Sequence, residues 1–268
     1  MSLRGGKFLL VDLPGPTLGQ EALVAVDQEG GMVMRVLESP QAPSAMALGA
    51  AGNKKLAFQV GQAVGRGSLS LRINWNFAPV LDANTNPDNP IIGERGFGGH
   101  PGQSGRTGAG LGGRASAGVL AAAKHFPGRR DTYQDSNLTL PRVEKSLEAT
   151  DFYPFKQPVQ AGIGSAMTAH IVFSKLDAEN PAALSKRILT GFLREQCSYD
   201  RLVVTDAMNM KAISGRYPLG EAAVKAISAG ADMICALGSR DEQAEQVEGL
   251  EAARPPLFSS SIKETSNP

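Results

Sequence analysis

The segment LVVTDAMNMKAISGRYPLGEAAVKAISAGADMICAL, residues 202–237, contains the pattern that decides the fold. Its two ends, Leu202–Asp206 and Met233–Leu237, are short apolar runs typical of buried strands. Between them, Leu219–Ala229 repeats apolar residues at a helical period, and Gly230 comes next as a helix stop. A strand, a helix and a second strand in this order predict two parallel strands joined by a crossover helix.

The same alternation of strands and helices recurs along the rest of the 268-residue chain. Five further strands are predicted at Phe8–Leu13, Leu23–Asp27, Asn76–Val80, Val119–His125 and Ser165–His170. Three further helices are predicted at Ala45–Val64, Arg142–Ala161 and Ser185–Gln196, the last with Ser185 as its N-cap. This pattern predicts one α/β domain, a TIM-type (β/α)8 barrel over residues 1–253.

Three stretches depart from this regular alternation. Only nine residues, 14–22, separate the first two predicted strands, whereas a crossover between parallel strands needs about 12. One strand and its helix are therefore predicted to be missing near the N-terminus, leaving an incomplete barrel with unpaired edges that favour association. Residues 96–118 are rich in glycine, which opposes a helix by about 1 kcal/mol per residue, so a loop or a poorly formed helix is predicted. Residues 254–268 have the composition of a disordered tail.

Composition argues against several classes of partner. The 27 basic and 26 acidic residues include no basic block that would bind nucleic acid. No apolar stretch reaches the roughly 18 residues of a membrane span, and no signal peptide is evident. The two cysteines, Cys197 and Cys235, do not suggest a disulfide framework, so a cytoplasmic location is predicted. The sequence gives no indication of the oligomeric state.

Polar residues end most of the predicted strands, namely Asp27, Lys124 with His125, His170 and Asp206. In a barrel the active site forms at the carboxyl ends of the strands, so these side chains are expected to converge there. Taken alone, each has a plain structural explanation: Asp206 could cap the next helix, and His125 could be a buried core histidine.

Two further stretches invite comparison with ligand sites. The oxygen-rich residues 82–90 could in principle hold a hard cation, but their spacing is typical of turns rather than of a cation loop. The Gly-rich residues 96–118 lack the Lys-Ser/Thr pair of a phosphate-binding loop. Neither a metal nor an organic cofactor is predicted.

The most specific motif is Lys124-His125-Phe126-Pro127-Gly128, followed by Asp131-Thr132 and then Asp135-Ser136-Asn137. It resembles the K-H-F-P-G-H-G-D-T…D-S-H signature of glycoside hydrolase family 3, in its bacterial β-N-acetylhexosaminidase branch. Five other segments resemble the same family in the same order: VDQEGG (26–31), NFAPVLD (76–82), GERGF (93–97), MTAH (167–170) and TDAMNMK (205–211). The resemblance covers most of residues 24–237.

This resemblance implies a retaining glycosidase that removes terminal β-linked N-acetylglucosamine, for example from fragments of cell-wall turnover. It implies that Asp206 is the nucleophile and forms a covalent glycosyl-enzyme. The partner would be a small carbohydrate containing N-acetylglucosamine. The residues matching the family's sugar-binding groups are Asp27, Arg35, Arg95, Lys124 and His125, and we add His170 from its motif.

The chain departs from the family at its general acid/base. The family uses the His of D-S-H, hydrogen-bonded to the Asp two residues earlier; here Asp135 is kept, but Asn137 replaces the His. An amide does not titrate, and general acid/base catalysis typically contributes about 10²–10⁴-fold. Arg129 and Arg130 also replace the family's His-Gly, and Met32 replaces an Arg.

These departures favour an alternative function, a catalytically impaired relative that still binds the sugar. A third possibility is a β-glucosidase-type member of the family. Such members generally take their acid/base carboxyl from an additional C-terminal domain, for which this chain is too short.

Overall fold

The computed structural model describes residues 9–11, 23–84, 91–100, 113–129, 135–144 and 152–253. Its centre is a seven-stranded sheet whose strands lie in chain order. They are β1 Leu9–Val11, β2 Leu23–Val26, β3 Trp75–Asn76, β4 Leu120–Phe126, β5 Ser165–Thr168, β6 Leu202–Ala207 and β7 Met233–Cys235. All neighbouring pairs from β2 to β7 are parallel, which confirms the predicted α/β architecture.

Eight helices are found among the described residues, and the predicted helix Leu219–Ala229 is confirmed at both ends. The helices are α1 Ala45–Ala51, α2 Lys54–Ser70, α3 Gly113–Ser116, α4 Tyr153–Gln160, α5 Arg187–Gln196, α6 Lys211–Ser214, α7 Leu219–Ala229 and α8 Arg240–Ala252. Helix α5 is wound as a π-helix. Short 3-10 turns occur at Gly93–Arg95 and Ala182–Leu184.

The first two strands correct the predicted topology. Strand β1 pairs with β2 in the antiparallel direction, with Leu9 opposite Ala25 and Val11 opposite Leu23. Antiparallel neighbours need no crossover helix, so the argument that a strand and helix are missing between them was wrong. Within the described part of the chain, β1 and β7 are the two edges of an open sheet. The expectation of an incomplete barrel is therefore consistent with the sheet, although for a different reason.

The predicted helix Ala45–Val64 is two helices. Helix α1 ends at Gly52, whose φ of 62° is a left-handed conformation that glycine adopts without strain. Asn53 then begins α2, because its side chain accepts a hydrogen bond from the N–H of Leu56.

The start of the predicted helix Arg142–Ala161 is wrong. Arg142–Val143 forms a strand parallel to Val172–Phe173, and in the described part of this range the helical residues are those of α4. Residues 145–151 lie outside the described ranges.

The other two irregular stretches of the sequence fall partly or wholly outside the described ranges. Of the Gly-rich residues 96–118, residues 101–112 lie outside them, and the single turn of α3 begins at Gly113. Residues 254–268 also lie outside them, so the single domain 1–253 and the disordered tail stay predictions.

Alternating residues of the parallel strands face two different cores. In β5 and β6, Ala166 and Val203 pack in the cluster shared with α4, α5 and α7. Their neighbours Met167 and Val204 pack on the other face, with Trp75 and Phe77. Apolar side chains thus fill both faces of the sheet and leave the polar residues at its carboxyl edge.

Candidate active site

A cavity of about 470 Å³ opens at the carboxyl edge of the sheet. Polar side chains from separate strands meet on its wall, as expected for parallel strands that end at one edge. The structure brings together seven of the nine predicted site residues there: Asp27, Arg35, Arg95, Lys124, His125, Asn137 and Asp206. The other two, Asp135 and His170, are not among the described residues that line the cavity.

Glu29, which has no predicted role, is the centre of an ion-pair network on the cavity wall. It lies in the short strand Gln28–Gly30. Its Oε2 is 2.8 Å from Nε of Arg95, and its Oε1 is 2.9 Å from Nη2 of the same guanidinium. Glu29 Oε1 also lies 2.6 Å from Nζ of Lys124, which contacts Asp27 Oδ1 at 2.5 Å. Glu29 therefore fixes both cations before any ligand binds.

The charges of this network determine its protonation. Burial raises the pKa of the Glu29 carboxyl, but Lys124 and Arg95 lower it more, to about 2. Burial likewise lowers the pKa of Lys124, but the carboxylates of Asp27 and Glu29 raise it above its ordinary value. Glu29 and Lys124 are thus both ionised at neutral pH, and Lys124 is a preorganised hydrogen-bond donor.

Replacing Glu29 with glutamine is expected to lower the free energy of unfolding at pH 7 by about 3–5 kcal/mol, because two largely buried cations lose their shared carboxylate. The pKa of Glu29 is depressed, so its contribution is fully present above pH 4.5 and is lost as the pH falls toward 2. Urea unfolding of both proteins at several pH values measures this. The same change at exposed Glu248 on α8 is the control. If the difference in free energy of unfolding between wild type and the Glu29 variant stays constant down to pH 2, the assignment is wrong.

His125 is held by a second buried carboxylate, Asp82. Asp82 Oδ2 lies 2.7 Å from Nδ1 of His125 and accepts from its backbone N–H at 3.2 Å. Asp82 Oδ1 accepts from the backbone N–H of Arg129 at 2.7 Å. Since Nδ1 faces Asp82, Nε2 is the ring nitrogen that remains to serve a ligand.

Asp206 lies near the end of β6, partly exposed to the cavity. Its Oδ1 accepts a hydrogen bond of 2.7 Å from the N–H of Ala207. Burial raises the pKa of the Asp206 carboxyl, but attraction to His125, to the protonated form of His170 and to Arg129, together with this hydrogen bond, leaves it below its ordinary value. The carboxyl is therefore ionised at neutral pH, as a nucleophile must be.

Asn137, predicted to stand where the family has its acid/base His, is hydrogen-bonded to Asp135. Its Nδ2 donates to Asp135 Oδ1 at 2.8 Å, and its backbone N–H donates to the same oxygen at 2.8 Å. Asn137 lines the cavity, whereas Asp135 is not among the described residues that line it. The amide of Asn137 neither releases nor accepts a proton.

A buried amide pair, missed from sequence, positions the segment that carries Glu29 and Arg35. Gln28 N–H donates to Asn76 Oδ1 at 3.1 Å, and Asn76 Nδ2 donates to the Gln28 carbonyl at 3.0 Å. The Gln28 side chain then accepts from the N–H of Arg35 at 2.9 Å. Both amides lie inside segments that the resemblance singled out, but only their contacts reveal this role.

The other positions at which this chain departs from the family signature lie in different environments. Arg129 is buried and lines the cavity, so the substitution brings a guanidinium near Asp206. Met32 is 81% exposed at the turn between Gly30 and Val33, and its N–H donates to Glu94 Oε1. Arg130 lies outside the described residues.

His170 lies away from the position predicted for it. It is 1% exposed, and its Nε2 lies 3.0 Å from the carbonyl oxygen of Ala207. It lies behind the cavity wall rather than on it, so contact with a sugar finds no support in this geometry.

The described ranges contain neither a metal-binding cluster nor a helix suited to span a membrane. No group of three or more His, Cys, Asp or Glu side chains is arranged there to hold a metal ion. No helix of those ranges has both the length and the apolar character that crossing a membrane requires.

The fold and the cavity define a class of protein, the α/β enzymes of TIM-like architecture whose carboxylates and cations meet at the strand ends. The chain matches the glycosyl hydrolase family 3 N terminal domain over residues 12–257. It therefore belongs to glycoside hydrolase family 3.

Proteins similar to this chain include β-hexosaminidases and a β-N-acetylglucosaminidase. A β-hexosaminidase A from Pseudoalteromonas piscicida is 38% identical over 78% of this chain, and a β-hexosaminidase from Tolumonas auensis is 34% identical over 85% of it. A solved family 3 β-N-acetylglucosaminidase from Paenibacillus sp. has a TM-score of 0.84 and 42% identity over 86% of this chain. This chain spans 39%, 70% and 45% of those three proteins, respectively.

Proposed function

We propose that this chain is a retaining glycosidase that removes terminal β-linked N-acetylglucosamine, with Asp206 as nucleophile. The Asp206 carboxylate would form a bond to the anomeric carbon while the bond to the leaving oxygen breaks. Water would then hydrolyse the glycosyl-enzyme with overall retention. The release of N-acetylglucosamine is in keeping with the names of the relatives, and fragments of cell-wall turnover are the class of substrate that we propose.

One observation carries this proposal: an ionised carboxylate, Asp206, at the wall of a cavity shared with fixed sugar-binding groups. Lys124 and Arg95 are fixed by Glu29, and His125 is fixed by Asp82. Charged donors fixed in this way form strong hydrogen bonds with hydroxyls, with little loss of side-chain freedom on binding. The cavity also has room for a monosaccharide.

Rapid mixing with 4-nitrophenyl β-N-acetylglucosaminide tests the proposal. Nitrophenolate is a good leaving group that needs little acid assistance, so Asn137 should not prevent the first step. We expect a burst of one nitrophenolate per protein, followed by slow turnover. Mass spectrometry of the quenched protein should find one added N-acetylhexosamine on the peptide that contains Asp206.

A second candidate function is sugar binding without efficient turnover, favoured by the amide of Asn137 in the acid/base pair. Calorimetric titration with N-acetylglucosamine separates the candidates. Binding without a burst would support the impaired relative, whereas neither binding nor a burst would overturn both.

A further inference from the structure

We infer that His170 is a positioning residue for the nucleophile, and that it orients Asp206 through the peptide groups of Ala207. The proposal rests on the proposed function of Asp206, which it deepens by naming what holds the carboxylate. It also replaces the sugar-binding role expected for His170 from sequence.

The contact runs through the residue after the nucleophile. Ala207 donates its N–H to Asp206 Oδ1 at 2.7 Å, and its carbonyl oxygen lies 3.0 Å from His170 Nε2. Because a carbonyl only accepts, the imidazole carries its hydrogen on Nε2. Ala207 is thus held on both sides, and a rotation of its backbone would turn its N–H away from the carboxylate.

His170 is itself firmly placed. It lies just after β5, and the preceding residue, Ala169, donates to the carbonyl of Phe126 at 2.7 Å and accepts from the N–H of Ala183 at 3.2 Å. Its side chain is buried at 1% exposure. The imidazole can therefore hold Ala207 without moving, as a supporting residue must.

The imidazole positions Asp206 without neutralising it. Burial lowers the pKa of His170, and the attraction of Asp206 and the hydrogen bond to Ala207 do not offset this. In the structure Nδ1 is buried and has no hydrogen-bond partner, so a proton there would add an unsatisfied donor. A neutral donor keeps the nearby carboxylate fully charged, whereas an imidazolium would weaken it as a nucleophile.

Two substitutions separate positioning from packing. His170→Gln places an amide donor near the position of Nε2, whereas His170→Leu fills the space without a donor. The leucine variant is expected to fold, because the Ala207 carbonyl keeps a hydrogen bond from the N–H of Met210 at 3.1 Å. It also removes the buried Nδ1 that has no partner.

We expect His170→Leu to slow the burst of nitrophenolate by about 10- to 100-fold, since small misplacements of a reacting group have effects of this size. The Kd for N-acetylglucosamine should stay within about twofold, because the sugar does not contact His170. His170→Gln should recover most of the burst rate. An unchanged burst rate in the leucine variant, or an equal loss in both variants, overturns the inference.

A spectroscopic readout works even if wild-type protein shows no burst. With ¹⁵N-labelled histidine, the His170 signals, assigned by their loss in His170→Gln, should show a neutral ring with hydrogen on Nε2 at pH 6.5. With ¹⁵N-labelled alanine, the Ala207 amide proton should shift upfield in His170→Leu as its bond to Asp206 weakens. A protonated His170, or an unmoved Ala207 amide, overturns the positioning role. A missing burst with both signals as expected refutes the proposed function alone.

Discussion

Asp206→Ala is expected to abolish the nitrophenolate burst and to slow its release by on the order of 10⁴-fold or more, the loss seen when a covalent nucleophile is removed. No other carboxylate among the described residues stands free to replace it on the cavity wall. Asp27 and Glu29 are both paired with Lys124. The pKa of Asp206 is lowered, so the wild-type burst rate should begin to fall only at a pH below that at which an ordinary aspartate takes up its proton.

Rescue of the Asp206→Ala variant by azide gives a second test of this prediction. In Asp206→Ala the missing carboxylate leaves space on the face from which it attacks, and azide can enter there. Its nitrogen would bond to the anomeric carbon as nitrophenolate leaves, which gives an α-glycosyl azide from a β-glycoside. Release of nitrophenolate should then rise with azide concentration, and NMR of the product reports its configuration.

The same substitution at Asp200 provides the control, because its carboxylate is 85% exposed and pairs only with the neighbouring Arg201. Asp200→Ala should leave the burst and the adduct unchanged. If Asp206→Ala keeps its burst, or if azide yields a β-product, another residue is the nucleophile.

The periodicity of the sequence predicted most of the fold because burial imposes it directly. Helix α7 was predicted at both ends, and in the described chain four of the seven strands lie within their predicted ranges while the other three extend one residue beyond them. The direction of β1 could not be predicted in this way, because apolar periodicity is the same for parallel and antiparallel strands. The break at Gly52 was missed because α1 and α2 continue the apolar pattern across it.

The candidate site was predictable where residues lie at strand ends and not where they depend on distant partners. Asp206 and Lys124 could be placed at the carboxyl edge from the order of the strands alone. Glu29 is 66 residues from its partner Arg95 in sequence, and neither its charge nor its position in the chain indicates that contact. The place of His170 behind the cavity wall could not be predicted, because β5 ends at Thr168, beyond which strand alternation no longer determines side-chain direction.

Asn137→His is expected to raise the turnover of the aryl glycoside by about 10²-fold, the lower range of the contribution of general acid/base groups. Asn137 already lines the cavity and donates to Asp135 Oδ1 at 2.8 Å. An imidazole in its place could donate to the same oxygen through Nδ1 and turn Nε2 toward the cavity. The gain should fall on the slow steady-state phase, because the water that hydrolyses the glycosyl-enzyme needs a base, whereas nitrophenolate needs little acid.

Three comparisons test whether the gain in turnover comes from proton transfer by the new imidazole. Asn137→Gln keeps an amide at this position and should gain nothing. The double variant Asn137→His, Asp135→Asn should lose most of the gain, since the carboxylate orients the imidazole and stabilises its charge. The gained activity should also follow the titration of a histidine near neutral pH, which wild-type turnover lacks. If Asn137→His keeps its burst but turns over no faster than wild type, the slow second step has another cause. Arg129, whose guanidinium lies near Asp206, is then the next residue to replace.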